Sequence, residues 1–310
     1  MFDGRKCMEY KIYKFTFPSG VHFGNGMLND SDSTFGADVL FSAMYIEALK
    51  MHLEEDFFQS IKEGKIVISD AFPFLGDRYL LPKPRIHIQT ENQGDSVKKK
   101  AAKKLKYIDI EKIEEFFAGN YNFSEDPYKE FGSFSQQIMA AVRNGQEDTL
   151  PYYVGKYSYK DGNGLYVIVG FQDEKSAYLF EDLLDSLHYF GIGGKKNSGL
   201  GKFDFTYGKN IKSFEKYLNG NGKHKYLLSG ALPKKEELKR ALDGASYSLK
   251  KRSGFIYSDT YAAEERKKRD MYLFEAGSCF KIDFEGDVYD VSEDGNHPVY
   301  RYARAMFLEV

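Results

Sequence analysis

The sequence predicts an α+β chain built as two compact halves. Three observations carry this. Short alternating segments and amphipathic helical segments succeed one another in mixed order, the 16% aromatic content is all Tyr (24) and Phe (26) with no Trp, and a polar stretch, Asn219-Gly-Asn-Gly-Lys223, separates two such runs. Tyr and Phe suit half-buried strands, so an excess of both leans toward sheet. The expected division is residues 1–218 and 219–310, with an insertion at about 89–150 inside the first half.

The elements follow in order. EYKIYKFTF (9–17) alternates, with Tyr10, Ile12, Lys14 and Thr16 on one face and Tyr13, Phe15 and Phe17 on the other, and so reads as a strand. The run from Ala37 to His52 sets Val39, Leu40, Ala43, Met44, Ile46 and Leu49 at helical spacing, with Ser33, Thr34 and Asp38 available as caps. Strands around Val67 and Leu80 meet at Gly76-Asp77, a hairpin signal. The Lys-rich segment Gln89 to Lys106 reads as a mobile loop or the start of a solvated helix, 108–118 as a short helix and 120–149 as loop. Tyr152–Tyr159 and Leu165–Phe171 are two further strands. A helix follows from Glu174 to Phe190, with Ala177, Phe180, Leu183, Leu184 and Leu187 on its apolar face, and Phe203–Tyr207 closes the half. Without the insertion this order is compatible with a βαββαβ, ferredoxin-like unit. Past the linker, YLLSGAL, a helix around Leu238–Leu242, a strand or hairpin near Phe255–Tyr257, MYLFEAGSCFKIDF and VYRYARAMFLEV give a second strand-rich unit.

Composition excludes several classes. The two cysteines, Cys7 and Cys279, form no C-x-x-C pair, so neither a disulfide framework nor a cysteine zinc site is supported. No apolar run reaches the length of a membrane span or a signal peptide, and the expected setting is a reducing cytoplasm without membrane contact. The formal net charge of −2 argues mildly against a polyanionic partner. That total hides a segregation: residues 191–270 hold 19 Lys and Arg against 9 Asp and Glu, and the remainder holds 25 against 37. Within the basic stretch, Lys250-Lys-Arg-Ser-Gly254 and Arg266-Lys-Lys-Arg269 flank Phe255, Tyr257 and Tyr261, a mixture suited to phosphate contact and base stacking on single-stranded nucleic acid. Solvated hairpin tips are the bland alternative.

The segment richest in chemistry is Gly191-Ile-Gly-Gly-Lys-Lys-Asn-Ser-Gly-Leu-Gly-Lys202, five glycines and three lysines in 12 residues. Glycines let backbone N–H groups approach an oxyanion, and lysines neutralise phosphate. It is not a P-loop, since it follows a helix and Gly199 is succeeded by Leu200, and it lacks G-x-G-x-x-G. A flexible surface turn remains the alternative. His22, just past the first strand, could act as acid or base or bond a phosphate, but no other histidine stands at metal-ligand spacing to it and no serine sits in a G-x-S-x-G elbow. No metal, cofactor or catalytic team is therefore expected.

Several segments together resemble one family. FPSGVHFG, SDSTFGADVLFSA, LLPKP at 80–84, GIGGKKNSGLGKF, KKRSGFIYSD, EAGSCF and HPVYRYARAMFLEV keep the family's order from residue 17 to 310. The chain is similar to the RAMP-type fourth Csm subunit of type III-A CRISPR effector complexes. The resemblance implies two RRM-like, ferredoxin-like halves with insertions. It implies a non-catalytic subunit that holds the 5′ repeat-derived tag of the CRISPR RNA and contacts the large polymerase-cyclase subunit and a backbone RAMP subunit. Carried over by position, it implies RNA contacts from His22 and Gly24, from Lys83 and Arg85, and from Lys251 and Arg252. From the Gly-rich loop it implies contacts by Gly191, Gly193, Gly194, Lys195, Lys196, Asn197, Ser198, Gly199, Gly201 and Lys202. The sequence departs from the pattern at Phe35-Gly-Ala-Asp38, where the helix start is extended. Two other readings stand beside it: a metal-independent endoribonuclease using His22, and a scaffold that binds only protein.

Overall fold

Leu165–Val169 is apolar at every position, and the strand that contains it is covered on both faces and both edges. In the computed structural model, which describes residues 8–86, 96–124, 126–141, 150–208, 211–256 and 258–310, the first half runs β1 (Glu9–Thr16), α1 (Ala37–Met51), α2 (Glu54–Lys62), β2 (Ile66–Ile68), β3 (Phe72–Leu75), β4 (Arg78–Pro82), α3 (Ser96–Lys104), β5 (Tyr107–Asp109), α4 (Ile113–Phe117), β6 (Gly132–Ala141), β7 (Leu150–Tyr159), β8 (Asn163–Phe171), α5 (Glu174–Phe190), β9 (Asp204–Tyr207) and α6 (Lys212–Leu218). The second half runs β10 (Lys225–Leu227), α7 (Lys235–Ala241), β11 (Leu249–Arg252), β12 (Met271–Phe274), β13 (Cys279–Phe280), β14 (Gly286–Asp290), β15 (Tyr300–Arg304) and β16 (Phe307–Glu309).

The main sheet is antiparallel throughout, in the order β5-β4-β3-β8-β1-β9. β2 and β3 share one edge of β8 end to end, Ile66–Ile68 opposite Val169–Phe171 and Phe72–Leu75 opposite Asn163–Tyr166. Successive residues of a strand point to opposite faces. Leu165, Val167 and Val169 accordingly join Tyr13, Phe15 and Phe17 in a core under α1, α2 and α5, where Leu40, Phe41, Met44, Phe57, Phe180, Leu183, Leu184 and Leu187 are buried. Tyr166, Ile168 and Ile12 face the other way and pack with Phe214 and Tyr217 of α6 and with Tyr226, Met306 and Leu308 of the second half. The second half thus covers the face of the sheet that the helices leave open. It contains a three-stranded sheet, β13-β10-β16, and the hairpins β11-β12 and β14-β15.

Several expectations need correction. Residues 120–149 are not all loop: β6 pairs with β7 over ten residues, from Gly132 opposite Tyr159 to Ala141 opposite Leu150. β6 is mostly exposed, Phe134 and Ile138 included, and its apolar residues do not alternate with polar ones, so it lacks the one-sided burial that makes a strand legible. α1 is not capped by Ser33 or Thr34. Its N-cap is Gly36, and the first N–H, that of Ala37, donates to Asp70 Oδ1 at 2.8 Å. Asp70 can reach it because the edge opposite β8 breaks between β2 and β3, where Ile168 N–H donates to Ser69 Oγ instead of to a backbone carbonyl. Of the Lys-rich segment, Ser96–Lys104 is helical, while 89–95 lies outside the described residues, as do 142–149, Cys7, His87 and Tyr257.

Candidate nucleic-acid interface

A cleft of about 500 Å³ opens between the two halves. Its walls carry Lys83 and Arg85 after β4, Lys103 and Lys106 around the end of α3, and Lys250 and Arg252 from β11, with Gly24 and Gly193 on the rim. A second cleft, of about 800 Å³, is lined by His22, Gly24, Lys250, Lys251, Arg252, Lys268 and Arg301. The two share Gly24, Asp32, Asp38, Val39, Lys250 and Arg252, so they form one continuous trough. Cations from five separate parts of the chain, 83–85, 103–106, 250–252, Lys268 and Arg301, converge there, although Asp32, Asp38, Asp70 and Glu275 lie among them.

Some of those cations are engaged. Arg85 pairs with Glu275 at 2.9 Å, Lys250 with Asp32 at 3.5 Å and Lys251 with Asp270 at 2.6 Å. Arg252 grips Asp38 with two nitrogens, Nε donating to Oδ2 at 2.8 Å, and Arg301 Nη1 donates to the same Oδ2 at 2.9 Å. Lys83, Lys103 and Lys106 have no carboxylate partner among the described residues. Lys83 Nζ donates to Ala102 O, which ties the β4 exit to α3, and burial together with Arg85 lowers its pKa below the usual lysine value. Nothing in the sequence marks Lys103 and Lys106 as site residues, because there they look like part of a solvated charge run, whereas Lys250 belongs to the basic segment read as suited to phosphate contact; only the fold sets all three with Lys83 around one cleft.

His22 is not a free loop imidazole. It is 6% exposed, its Nδ1–H donates to Gly155 O at 2.8 Å, and its own carbonyl accepts from Gly194 N–H at 2.9 Å. A Cβ on Gly194 would stand 2.7 Å from the His22 ring, and one on Gly193 would stand 2.8 Å from the His22 carbonyl. His22 is therefore the post on which the Gly-rich loop rests. The loop itself is folded. Ile192 N–H donates to Gly201 O, Gly201 N–H donates to Gly20 O, and Ile192 and Leu200 are buried. Lys196–Ser198 make one turn of 3-10 helix, with Asn197, Ser198, Gly199 and Lys202 exposed. Lys195 sits over the Tyr152 ring at 4.9 Å, and Lys196 lies near Lys50 and Glu47 of α1. Among the expected site residues, the first cleft gathers Gly24, Lys83, Arg85, Gly193 and Arg252, and the second gathers His22, Gly24, Lys251 and Arg252. The rest of the Gly-rich loop lies outside both.

Of the aromatic cluster, Phe255 is exposed, with Lys267 Nζ 5.5 Å from its ring centre, whereas Tyr261 is buried and donates to Glu293 O. Tyr261 is thus a packing residue and not a stacking platform. The side chains at 31–34 are engaged within the fold: Phe23 N–H donates to Ser31 Oγ, Ser33 bonds the Tyr128 hydroxyl, and Thr34 bonds Tyr107.

Asp70 accepts from Ala37 N–H and from Gly230 N–H, at 2.8 and 2.9 Å, and so joins the start of α1 to the second half. Burial pushes its carboxyl up to about 6 from 3.8, against the opposing pull of the two N–H donors. The folded chain then holds this proton more tightly than the unfolded chain, so the contribution of Asp70 to stability is greatest below about pH 4 and is lost as pH rises through about 6. Asp70→Asn keeps an oxygen acceptor without the ionisation. Its urea midpoint is expected to be flatter than the parent's between pH 4 and 7 and to exceed it at pH 7.5; parallel profiles would contradict this.

Residues 21–204 match the family model of the RAMP superfamily, and residues 220–310 match that of the CRISPR Csm4 C-terminal domain. The "CRISPR system Cms protein Csm4" of Mycobacterium tuberculosis is 34% identical over 303 residues, covering 97% of this chain and 98% of that protein. The chain belongs to the Csm4 family. The protein of the same description from Streptococcus thermophilus is 32% identical over 314 residues, covering 98% and 99%. Among solved structures, this Csm4-family chain is similar to one in the crystal structure of a Csm3-Csm4 subcomplex of a type III-A CRISPR-Cas interference complex, with a TM-score of 0.67 and 19% identity over 97% of this chain and 99% of that one. It is also similar to one in a Csm1-Csm4 cassette with cA4, with a TM-score of 0.57 and 18% identity over 97% and 98%. At those identities the likeness is one of fold.

Among the described residues of the Csm4-family chain, no group of three or more His, Cys, Asp and Glu could hold a metal ion, and no helix is long and apolar enough to cross a membrane. Cys279 is buried in an apolar core, and burial pushes its thiol up to about 12.

Proposed function

We propose that this chain is a non-catalytic RNA-binding and assembly subunit of a cytoplasmic type III-A CRISPR interference complex. It holds the 5′ repeat-derived tag of the CRISPR RNA and bridges the large polymerase-cyclase subunit to a backbone RAMP subunit. The observation that carries the RNA part is the convergence of Lys83, Lys103, Lys106 and Lys250 on one cleft between the halves, which Gly24 and Gly193 also line. A single-stranded tag offers phosphates to such lysines and lets its bases splay against protein. Family membership supports the assembly part, and large apolar side chains left exposed on α1 (Leu49, Met51) and α5 (Tyr178, Tyr189, Phe190) agree with it.

The finer architecture belongs to the same reading. With β2 and β3 counted as one interrupted strand, β1, β2–β3, β8 and β9 stand in the order 2-3-1-4 of a ferredoxin-like, RRM-like unit, with α1 and α5 on one face. The second unit, 219–310, keeps a three-stranded sheet and one helix. The Csm3-Csm4 and Csm1-Csm4 structures that share the fold support contact with both kinds of neighbour.

Charge reversal tests the cleft. Lys83→Glu with Lys106→Glu and Lys250→Glu is expected to weaken binding of tag-bearing RNA by about a hundredfold or more, and to lower the slope of log affinity against log salt by about 2, or roughly 0.7 for each phosphate that is no longer neutralised. Fluorescence anisotropy across a salt series reads both. Unchanged affinity and slope would remove the cleft from the RNA path.

The endoribonuclease reading loses its motivating feature, because His22 is enclosed and one ring nitrogen is committed to Gly155. Repeat RNA incubated with the protein in chelator is expected to stay intact. Cleavage abolished by His22→Ala would restore the enzyme reading.

A further inference from the structure

We propose that the open edge of the main sheet, strand β9 with the stripe of α5 beside it, is a docking surface for an extended segment of another protein subunit that carries lysine or arginine. This deepens the assembly part of the proposed function and rests on that part alone.

The two ends of the main sheet differ. At the β5 end the turn Pro127–Glu130 lies against the last strand, and its Tyr128 stacks on Tyr107 with ring centres 4.9 Å apart. At the other end β9 pairs with β1 on one side, and among the described residues no strand pairs with it on the other. The register identifies the groups left over. Gly208 N–H donates to Ile12 O at 2.8 Å, so Lys14–Thr206 and Thr16–Asp204 are the hydrogen-bonded pairs of this ladder, and Tyr13–Tyr207 and Phe15–Phe205 are the non-bonded ones. The N–H and C=O groups of Phe205 and Tyr207 therefore point away from β1, along the open edge. Native sheets usually blunt an edge with lysine, proline or a bulge; Asp204-Phe-Thr-Tyr207 has none of these. The strand is short, so the rest of an interface has to come from its neighbours.

α5 supplies it. Glu181 accepts from Tyr13 at 2.8 Å and from Lys11 at 3.1 Å, and it also bonds the Tyr207 hydroxyl, which fixes the helix above β1 and β9. Tyr178, Glu181, Asp185 and Tyr189 recur at helical spacing and share one side of α5. That side faces β9, since Asp185 acts on Tyr207 and the ring of His188 lies 5.7 Å from that of Phe205. Tyr178, Tyr189 and Tyr207 are each more than half exposed. The edge is thus rigid, unpaired and bordered by aromatic rings.

Charge selects the partner. Glu9, Glu181, Asp182, Asp185 and Asp204 surround the edge, against Lys11 and Lys202. Such a surface repels phosphate, which sets it apart from the cation-lined trough. A second copy paired edge to edge would bring carboxylates against carboxylates, because an isologous contact matches each patch with itself. A basic extended segment meets every feature at once. Its backbone pairs with Phe205 and Tyr207, its cations meet Asp182 and Asp185, and their aliphatic stems lie on the tyrosine rings.

Residue-resolved amide hydrogen exchange on the 310-residue chain tests the edge, with the purified large subunit and the purified backbone RAMP subunit added in turn. In the free chain the amides of Phe205 and Tyr207 are expected to exchange about tenfold faster than that of Thr206, which bonds to β1; equally slow exchange at all three overturns an open edge. One of the two subunits is expected to slow Phe205 and Tyr207 by about tenfold or more. Asp182→Lys with Asp185→Lys, both exposed, is expected to keep the parent's melting temperature and to weaken binding of that subunit by about tenfold, a difference that shrinks in high salt. A subunit that binds while both amides stay fast overturns the edge and leaves the assembly reading standing, whereas a chain that binds neither subunit overturns both. Unchanged binding of the double variant overturns the basic partner. Slowing by tag-bearing RNA alone overturns the proposal as well, because this face would then belong to the RNA path.

Discussion

Asp38→Ala is expected to lower the stability of the chain by about 3–5 kcal/mol, the cost of breaking a buried ion pair from one side. Asp38 lies in the first turn of α1, in the N-terminal half, and is 9% exposed. Both of its partners come from the C-terminal half: Arg252 from β11 and Arg301 from β15. Removing the carboxylate leaves two guanidinium groups facing each other in a place with little water, so the loss exceeds what the hydrogen bonds alone would contribute. The carboxylate also favours the positive end of the α1 dipole, a smaller effect of about 0.5 kcal/mol. Urea unfolding reads the change as a lower midpoint. Asp38→Ala together with Arg252→Met and Arg301→Met should recover much of the loss, since no unpaired charge then remains. A midpoint within about 0.5 kcal/mol of the parent's for Asp38→Ala alone would show that the cluster is solvated and does not clasp the halves.

The Asp38 cluster also marks where sequence reading stops. β1, α1, β8 and α5 are legible because each carries its burial in its own periodicity: Tyr13, Phe15 and Phe17 alternate with Ile12, and Phe180, Leu183, Leu184 and Leu187 recur at helical spacing. Helix α2, EEDFFQSIK, goes unread because only Phe57 and Ile61 are fully buried, too short a stripe to register. β6 goes unread because neither of its faces enters a core. Asp38 and its two arginines lie 214 and 263 residues apart, and no local pattern links them; in isolation Asp38 looks like a helix cap and Arg252 like one more cation in a basic run. Motif resemblance found the two regions that meet in the cleft, the LLPKP turn and the KKR strand. It could not show that Arg252 is spent largely on Asp38, or that Lys103 and Lys106 stand across from them.

The Gly-rich loop poses the same problem at short range, and Gly201→Ala resolves it. Read as sequence, five glycines in 12 residues suggest a cradle for phosphate. In the fold the first demand on them is internal. Gly201 has φ +78°, its N–H donates to Gly20 O, and its carbonyl accepts from Ile192 N–H, which pins the two ends of the loop together. A Cβ there would stand 2.1 Å from the Ile192 carbonyl oxygen, a backbone atom that cannot swing aside. Gly199 has nearly the same backbone, φ +86°, but a Cβ there would meet nothing within 4 Å. The pair therefore separates strain from space. Gly199→Ala is expected to lose about 1 kcal/mol, the conformational term alone. Gly201→Ala should lose more than about 3 kcal/mol, because strain is joined by a collision that only opening the Ile192–Gly201 bond relieves. Opening that bond would also move Gly193 and Gly194 off His22, so RNA affinity should fall in Gly201→Ala even at temperatures where the chain stays folded. Equal losses in the two variants would mean that the loop already breathes enough to admit a methyl group, and the glycines would then be free to serve a ligand instead of the fold.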